Sequence, residues 1–82
     1  MKQKLTFFYT DECPKCKELK PVMNELQQVF DITYVNTYED ELLTESSGVE
    51  FVPTIIIENE LGEHKMVGNN EIAKFLHEII HP

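Results

Sequence analysis

The chain contains two cysteines, Cys13 and Cys16, separated only by Pro14 and Lys15. An apolar, strand-like segment precedes the pair and a helical pattern follows it, so the sulfurs lie where a strand passes into a helix. Free N–H groups and the dipole at a helix start stabilise a thiolate, which makes Cys13 the expected nucleophile. Cys16, one turn further on, is expected to be more buried and to attack a mixed disulfide at Cys13. The pair can therefore close a reversible, redox-active disulfide.

Lysines are concentrated around the two cysteines. No Lys or Arg occurs between Pro21 and His64, whereas Lys15, Lys17 and Lys20 surround the motif. Lys15 lies between the sulfurs and is expected to stabilise the thiolate. Lys17 and Lys20 could also lie near the thiolate, but they fit equally well on the solvated face of the helix.

Length and composition predict one folded domain over residues 1–82, since 27% of the residues are charged and 41% are hydrophobic. A net charge of −8 without any arginine disfavours a nucleic-acid partner. Two cysteines are too few for a secreted disulfide scaffold, and no apolar run reaches membrane-spanning length. We expect a cytoplasmic monomer with no membrane contact, no metal and no bound cofactor.

The first half of the chain predicts a helix between two strands. The helix is expected over residues 13–30, with Val29 on its apolar stripe. Pro21 has no N–H group to donate, so it should kink the helix. Strands are expected over residues 5–9 and 32–35.

The second half predicts a short helix, a hairpin and a last helix. Thr37 begins a Thr-x-x-Asp capping pattern for the short helix, which Gly48 ends. A β-branched strand over residues 54–57 and a return strand over 64–67 form the hairpin. The last helix is expected after Asn69 or Asn70 as its N-cap, with an apolar stripe formed by Ile72, Phe75, Leu76, Ile79 and Ile80. The order is β-α-β-α-β-β-α, with a right-handed crossover followed by the hairpin.

This arrangement resembles the thioredoxin and glutaredoxin superfamily along essentially the whole chain. The dithiol opens the first helix, and Pro21 lies five residues after Cys16. Val52-Pro53-Thr54 precedes the hairpin, and Val67-Gly68 ends it. The resemblance implies an α/β fold of glutaredoxin size, the minimal thioredoxin fold, with a four-stranded mixed sheet flanked by three helices.

The same resemblance implies roles for residues around the dithiol. Pro53 would be a cis-proline against the sulfurs, although an ordinary trans proline also fits the start of a strand. Val52 would offer its backbone to an extended substrate peptide. Phe51 would belong to an apolar collar around Cys13, although a core position fits it equally. The substrate-binding residues implied in this way are Pro14, Phe51, Val52 and Gly68.

The chain departs from thioredoxins at two positions. A Trp commonly precedes the first cysteine and a buried Asp lies six residues before it, but here these positions hold Glu12 and Phe7. The usual proton acceptor for the resolving thiol is therefore missing. Lys15, a water molecule or another group would have to assist Cys16.

The chain also lacks features with which glutaredoxins commonly hold glutathione. Those are an aromatic residue between the cysteines, a basic preceding loop and a Gly-Gly turn before the last helix. Here the corresponding residues are Lys15, Asp11-Glu12 and Gly68-Asn69-Asn70. We therefore expect a protein reductase, rather than glutathione, as the electron donor.

The sequence thus predicts a thiol-disulfide oxidoreductase that reduces protein disulfides, with a glutathione-dependent glutaredoxin as the alternative. A zinc-binding protein is a more remote one, because His77-x-x-x-His81 follows the Cys-x-x-Cys motif. Sixty residues separate Cys16 from His77, whereas a zinc finger has about a dozen. A non-catalytic binding module with the same fold is the remaining alternative.

Overall fold

The structure, a computed structural model, describes residues 3–80 apart from the side chain of Ile80. The predicted element order is confirmed. The place of Ile80 in the apolar stripe lies outside the described part. The elements are β1 (Gln3–Tyr9), α1 (Pro14–Leu26), β2 (Phe30–Asn36), α2 (Glu41–Ser46), β3 (Thr54–Asn59), β4 (Gly62–Val67) and α3 (Asn69–Ile80).

The four strands form one mixed sheet in the order β2-β1-β3-β4. Strand β1 is central, because it pairs in parallel with β2 and antiparallel with β3. Leu5 lies opposite Ile32 on one side and Ile57 on the other. A two-residue turn joins β3 to the edge strand β4. This is the minimal thioredoxin fold, so the predicted fold class is confirmed.

The two faces of the sheet are covered unequally. Helices α1 and α3 pack on one face, where the side chains of Phe7, Met23, Ile55 and Ile72 have no exposed surface. The other face has a smaller buried cluster formed by Phe8, Val35, Val49 and Ile56. Helix α2 contributes no buried residue. The strongest packing in the described part of the chain therefore fixes α1, the helix that carries the dithiol.

The predicted end of α1 is wrong. The helix ends at Leu26, and Phe30 already belongs to β2. Gln28 and Val29 donate backbone hydrogen bonds three residues back, which closes a tight turn between the helix and the strand. Val29 is 55% exposed and does not widen the apolar stripe. The chain has to turn here, because a parallel strand must start again at the same edge as β1.

The predicted caps of the other helices also need correction. Asp40, rather than Thr37, caps α2, and its carboxylate accepts a hydrogen bond from the Leu43 N–H group. The N–H group of Thr37 donates instead to the Tyr9 carbonyl. Helix α3 begins at Asn69 itself. Asn69 and Asn70 therefore lie within its first turn, and the carbonyl before them, that of Gly68, accepts the first helical bond.

Truncating the buried aromatic ring below α1 should destabilise the fold far more than truncating the exposed side chain after α1. Phe7→Ala should lower the free energy of unfolding by about 3–5 kcal/mol, since the ring is fully buried. Val29→Ala should change it by no more than about 0.5 kcal/mol. Urea unfolding measures both, and Phe7→Leu keeps the effect measurable if the alanine variant does not fold. Similar losses for Phe7 and Val29 would contradict this packing.

Candidate active site

Cys13 is the N-cap residue of α1. Its carbonyl accepts the first helical bond, from Lys17, and its own N–H group donates to the Thr10 carbonyl. The Cys13 sulfur accepts a hydrogen bond of 3.2 Å from the N–H group of Cys16. The sulfur therefore occupies the place of a capping oxygen, at the positive end of the helix dipole and partly exposed to solvent.

Cys16 lies in the core, one helical turn beyond Cys13. Its side chain is 1% exposed, and both cysteines are free thiols in the structure. Burial raises the pKa of Cys16 to about 12, and the hydrogen bond and charge interaction with Cys13 act in the same direction. Cys16 is therefore protonated at pH 7. The two neighbouring thiols thus differ: Cys16 is buried and protonated, whereas Cys13 is partly exposed to solvent.

The segment before β3 lies against the same core cluster as the dithiol. The Val52–Pro53 peptide bond is cis. The Pro53 carbonyl accepts a hydrogen bond from the Gly68 N–H group, and the buried Thr54 hydroxyl donates one of 2.6 Å to the Phe51 carbonyl. Val52 and Cys13 both pack against the core cluster below α1. The segment is therefore held at both of its ends.

The backbone of Val52 makes no hydrogen bond to any other residue in the described part of the chain. An unpaired N–H and C=O group beside a sheet are the groups with which an extended peptide can pair. The other three residues implied to bind substrate reach the surface. Pro14 and Phe51 are exposed, the latter by 66%, and Gly68 is half-buried. Phe51 is therefore not a core residue.

Lys15 is exposed in the first turn of α1. Within residues 3–80, neither a hydrogen bond nor an ion pair connects its ammonium group to another residue. The helix start contacts the Cys13 sulfur directly, whereas the expected role of Lys15 in stabilising the thiolate stays a prediction.

A cavity of about 250 Å³ adjoins the buried Cys16 and is lined by Asp11, Lys17 and Lys20. The ammonium group of Lys20 lies 4.3 Å from the centre of the Tyr9 ring, another wall of the cavity. Asp11 accepts a hydrogen bond of 3.3 Å from the amide of Asn36.

Asn36 is 8% exposed, and its amide oxygen accepts hydrogen bonds from the N–H groups of Tyr38 and Glu39. The amide that holds Asp11 is thus itself held in place. Sequence analysis did not identify Asp11 or Asn36 as site residues. Their positions in the sequence could have indicated that they lie close together. Asp11 follows β1 and Asn36 ends β2, and the carboxyl ends of parallel strands meet at one edge of a sheet.

The residues of the zinc alternative do not converge in the described part of the chain. Residues 3–80 contain no group of three or more His, Cys, Asp or Glu side chains that could hold a metal ion. His77 lies on an exposed position of α3, and His81 lies outside the described residues.

Within residues 3–80, no helix is long and apolar enough to cross a membrane.

A profile of the thioredoxin family matches residues 1–81. Thioredoxin 1 from Thermosipho africanus is 26% identical, with 94% of this chain and 90% of that chain covered and a TM-score of 0.79. Mitochondrial thioredoxin 3 from Saccharomyces cerevisiae is 21% identical, with 93% and 77% covered and a TM-score of 0.77. A mutant thioredoxin from Halobacterium salinarum is 24% identical, with 93% and 73% covered and a TM-score of 0.75. The latter two proteins show similarity to this chain in fold alone.

The unequal exposure of the two thiols predicts selective alkylation. In the reduced protein at pH 7, iodoacetamide should modify Cys13 at least about tenfold faster than Cys16, because the thiolate is the reactive form. The variants Cys13→Ser and Cys16→Ser leave one thiol each, and mass spectrometry gives the two rates. Cys16 should react at the rate of Cys13 only after unfolding in urea. Equal rates in the folded variants would contradict the assignment of the nucleophile.

Proposed function

The chain belongs to the thioredoxin family and is a thiol-disulfide oxidoreductase, and we propose that it reduces disulfides in protein substrates through Cys13 and Cys16. The observation that carries this proposal is the contact between the Cys13 sulfur and the N–H group of Cys16 at the start of α1. It supplies an accessible nucleophile with a buried second thiol one turn away.

The proposed reaction proceeds in two exchanges. The Cys13 thiolate attacks one sulfur of the substrate disulfide, forms a mixed disulfide and releases the other substrate sulfur as a thiolate. Cys16 then loses its proton and attacks the Cys13 sulfur. The Cys13–Cys16 bond forms, the mixed disulfide breaks, and the second substrate sulfur leaves with the electron pair and takes up a proton. Two electrons pass from the dithiol to the substrate.

The surface around the sulfurs fits a protein substrate. Because Cys16 is buried, a substrate disulfide reaches only Cys13. The unpaired backbone of Val52 can bind an extended segment beside the substrate cysteine by main-chain hydrogen bonds. Such bonds do not depend on side-chain identity, so they suit a reductase that acts on folded or partly folded chains.

The second exchange needs a route for the Cys16 proton, since the family's buried carboxylate is replaced here by Phe7. The cavity beside Cys16 reaches the carboxylate of Asp11, which Asn36 holds in position. A base can act through one intervening water molecule. We assign Asp11 as the acceptor that takes this proton while Cys16 attacks Cys13, and Lys17 and Lys20 as cations that stabilise the developing thiolate.

The assignment of Asp11 predicts a slower second exchange in Asp11→Asn. Release of a substrate peptide from a preformed mixed disulfide at Cys13 should slow by at least about tenfold at pH 7 and recover as the pH rises, because hydroxide replaces the missing base. Rapid acid quenching and mass spectrometry follow the release. Glu12→Gln is the matched control, since Glu12 carries the neighbouring carboxylate but does not line the cavity. Equal rates in the two variants would exclude Asp11 from this role.

The charge of the same loop supports a protein reductase as the electron donor. Glutathione carries two carboxylates, and the loop before Cys13 contributes Asp11 and Glu12, both exposed. Like charges disfavour such an encounter. The turn before α3 has Asn69 and Asn70 after Gly68, without a second glycine.

The donor preference is tested by turnover of a protein disulfide with two reducing systems. Thioredoxin reductase with NADPH should support faster turnover than millimolar glutathione with glutathione reductase, and Cys13→Ser should abolish both. Faster turnover with glutathione would place the protein with the glutaredoxins. No turnover with either system would contradict this donor preference.

A further inference from the structure

A groove of about 370 Å³ lies along α2. Its lining includes Val52 and Thr10, and the Thr10 carbonyl accepts a hydrogen bond from the N–H group of Cys13. A peptide segment that pairs with Val52 would therefore pass into this groove within a few residues of its cysteine.

The groove is lined by carboxylates and by no cation. Glu41 and Glu45 are one turn apart on α2, and Glu50 follows from the next loop. Within residues 3–80, none of the three takes part in an ion pair or a hydrogen bond through its side chain. The ammonium group of Lys65 donates to the Gly48 carbonyl and does not line the groove.

Two aromatic side chains complete the lining. Tyr38 is 69% exposed and Phe51 is 66% exposed, so neither ring serves the core. Aromatic faces attract ammonium and guanidinium groups, and carboxylates pair with them. Aromatic rings and unpaired carboxylates in one groove are complementary to lysine and arginine side chains.

The surface on the other side of Cys16 has the opposite charge. There Lys17 and Lys20 line the smaller cavity together with Asp11, so two cations lie with one carboxylate. A bound segment thus meets negative charge on the α2 side of the dithiol and positive charge on the α1 side, which favours one orientation of the segment over the other.

We infer that this groove binds a segment of the substrate protein that carries lysine or arginine next to the reactive cysteine. This inference rests on the proposed function. The preferred substrates would be proteins whose disulfide is flanked by basic residues. Complementary charge raises the rate of encounter more than it changes the chemistry at sulfur. The preference should therefore appear in the rate of the first exchange and decrease with salt.

The test compares two synthetic disulfide peptides that are identical except for lysine or glutamate beside the cysteine. Each is mixed at low salt with protein that has been reduced beforehand, so no donor is involved, and mass spectrometry follows the loss of free thiol. We expect the lysine peptide to react at least about tenfold faster. The ratio of the two rates is the readout, because a change in Cys13 reactivity affects both peptides equally.

The groove is tested with the triple variant E41Q/E45Q/E50Q, in which the ratio should fall at least about threefold. The matched control E25Q/E58Q/E78Q removes the same charge from exposed glutamates outside the groove and should keep most of the preference. An equal fall in both variants would assign the preference to net charge and overturn the inference. Equal rates of the two peptides with the unmodified protein would also overturn it. A protein that reacts with neither peptide would refute the proposed function itself.

Discussion

The packing of α1 across the central strands is the constraint on which the site depends. Cys16, Leu19 and Met23 lie on the buried side of the helix, against a cluster that includes Phe7. Because these contacts fix where the helix begins, they also fix Cys13 at its N-cap. Core packing therefore sets the position of Cys13, which lies at the border of this cluster. The same contacts bury Cys16, so one helix placement produces both the exposed and the protected thiol.

The other parts of the site gather at one edge of the sheet for topological reasons. Strands β1 and β2 are parallel, so Asp11 and Asn36 follow or end them at the same edge. Strand β3 runs the other way, so its first residues, and the cis bond before Pro53, arrive at that edge as well. Two segments distant in sequence, those of Asn36 and Pro53, thus reach the edge of the sheet at which Asp11 lies.

Much of this could be predicted from the sequence, because local signals were strong where one residue type decides the structure. The dithiol and the β-branched run of β3 specified their elements, and Gly48 ended α2 in the left-handed conformation. The end of α1 was mispredicted because Val29 continues the apolar period, while the sheet requires the chain to turn. The contact between Asp11 and Asn36 was not predicted, because the two residues are far apart in sequence and only the parallel crossover brings them together.

The replacement of a buried carboxylate by Phe7 has a physical logic in a chain of 82 residues. A small domain buries a limited fraction of its surface, so its stability margin is small. An ionised group in that core would be costly without a partner, whereas a fully buried ring contributes packing. In the proposed reaction, the Cys16 proton therefore leaves through the cavity that Asp11 lines, so the acid-base step takes place outside the core.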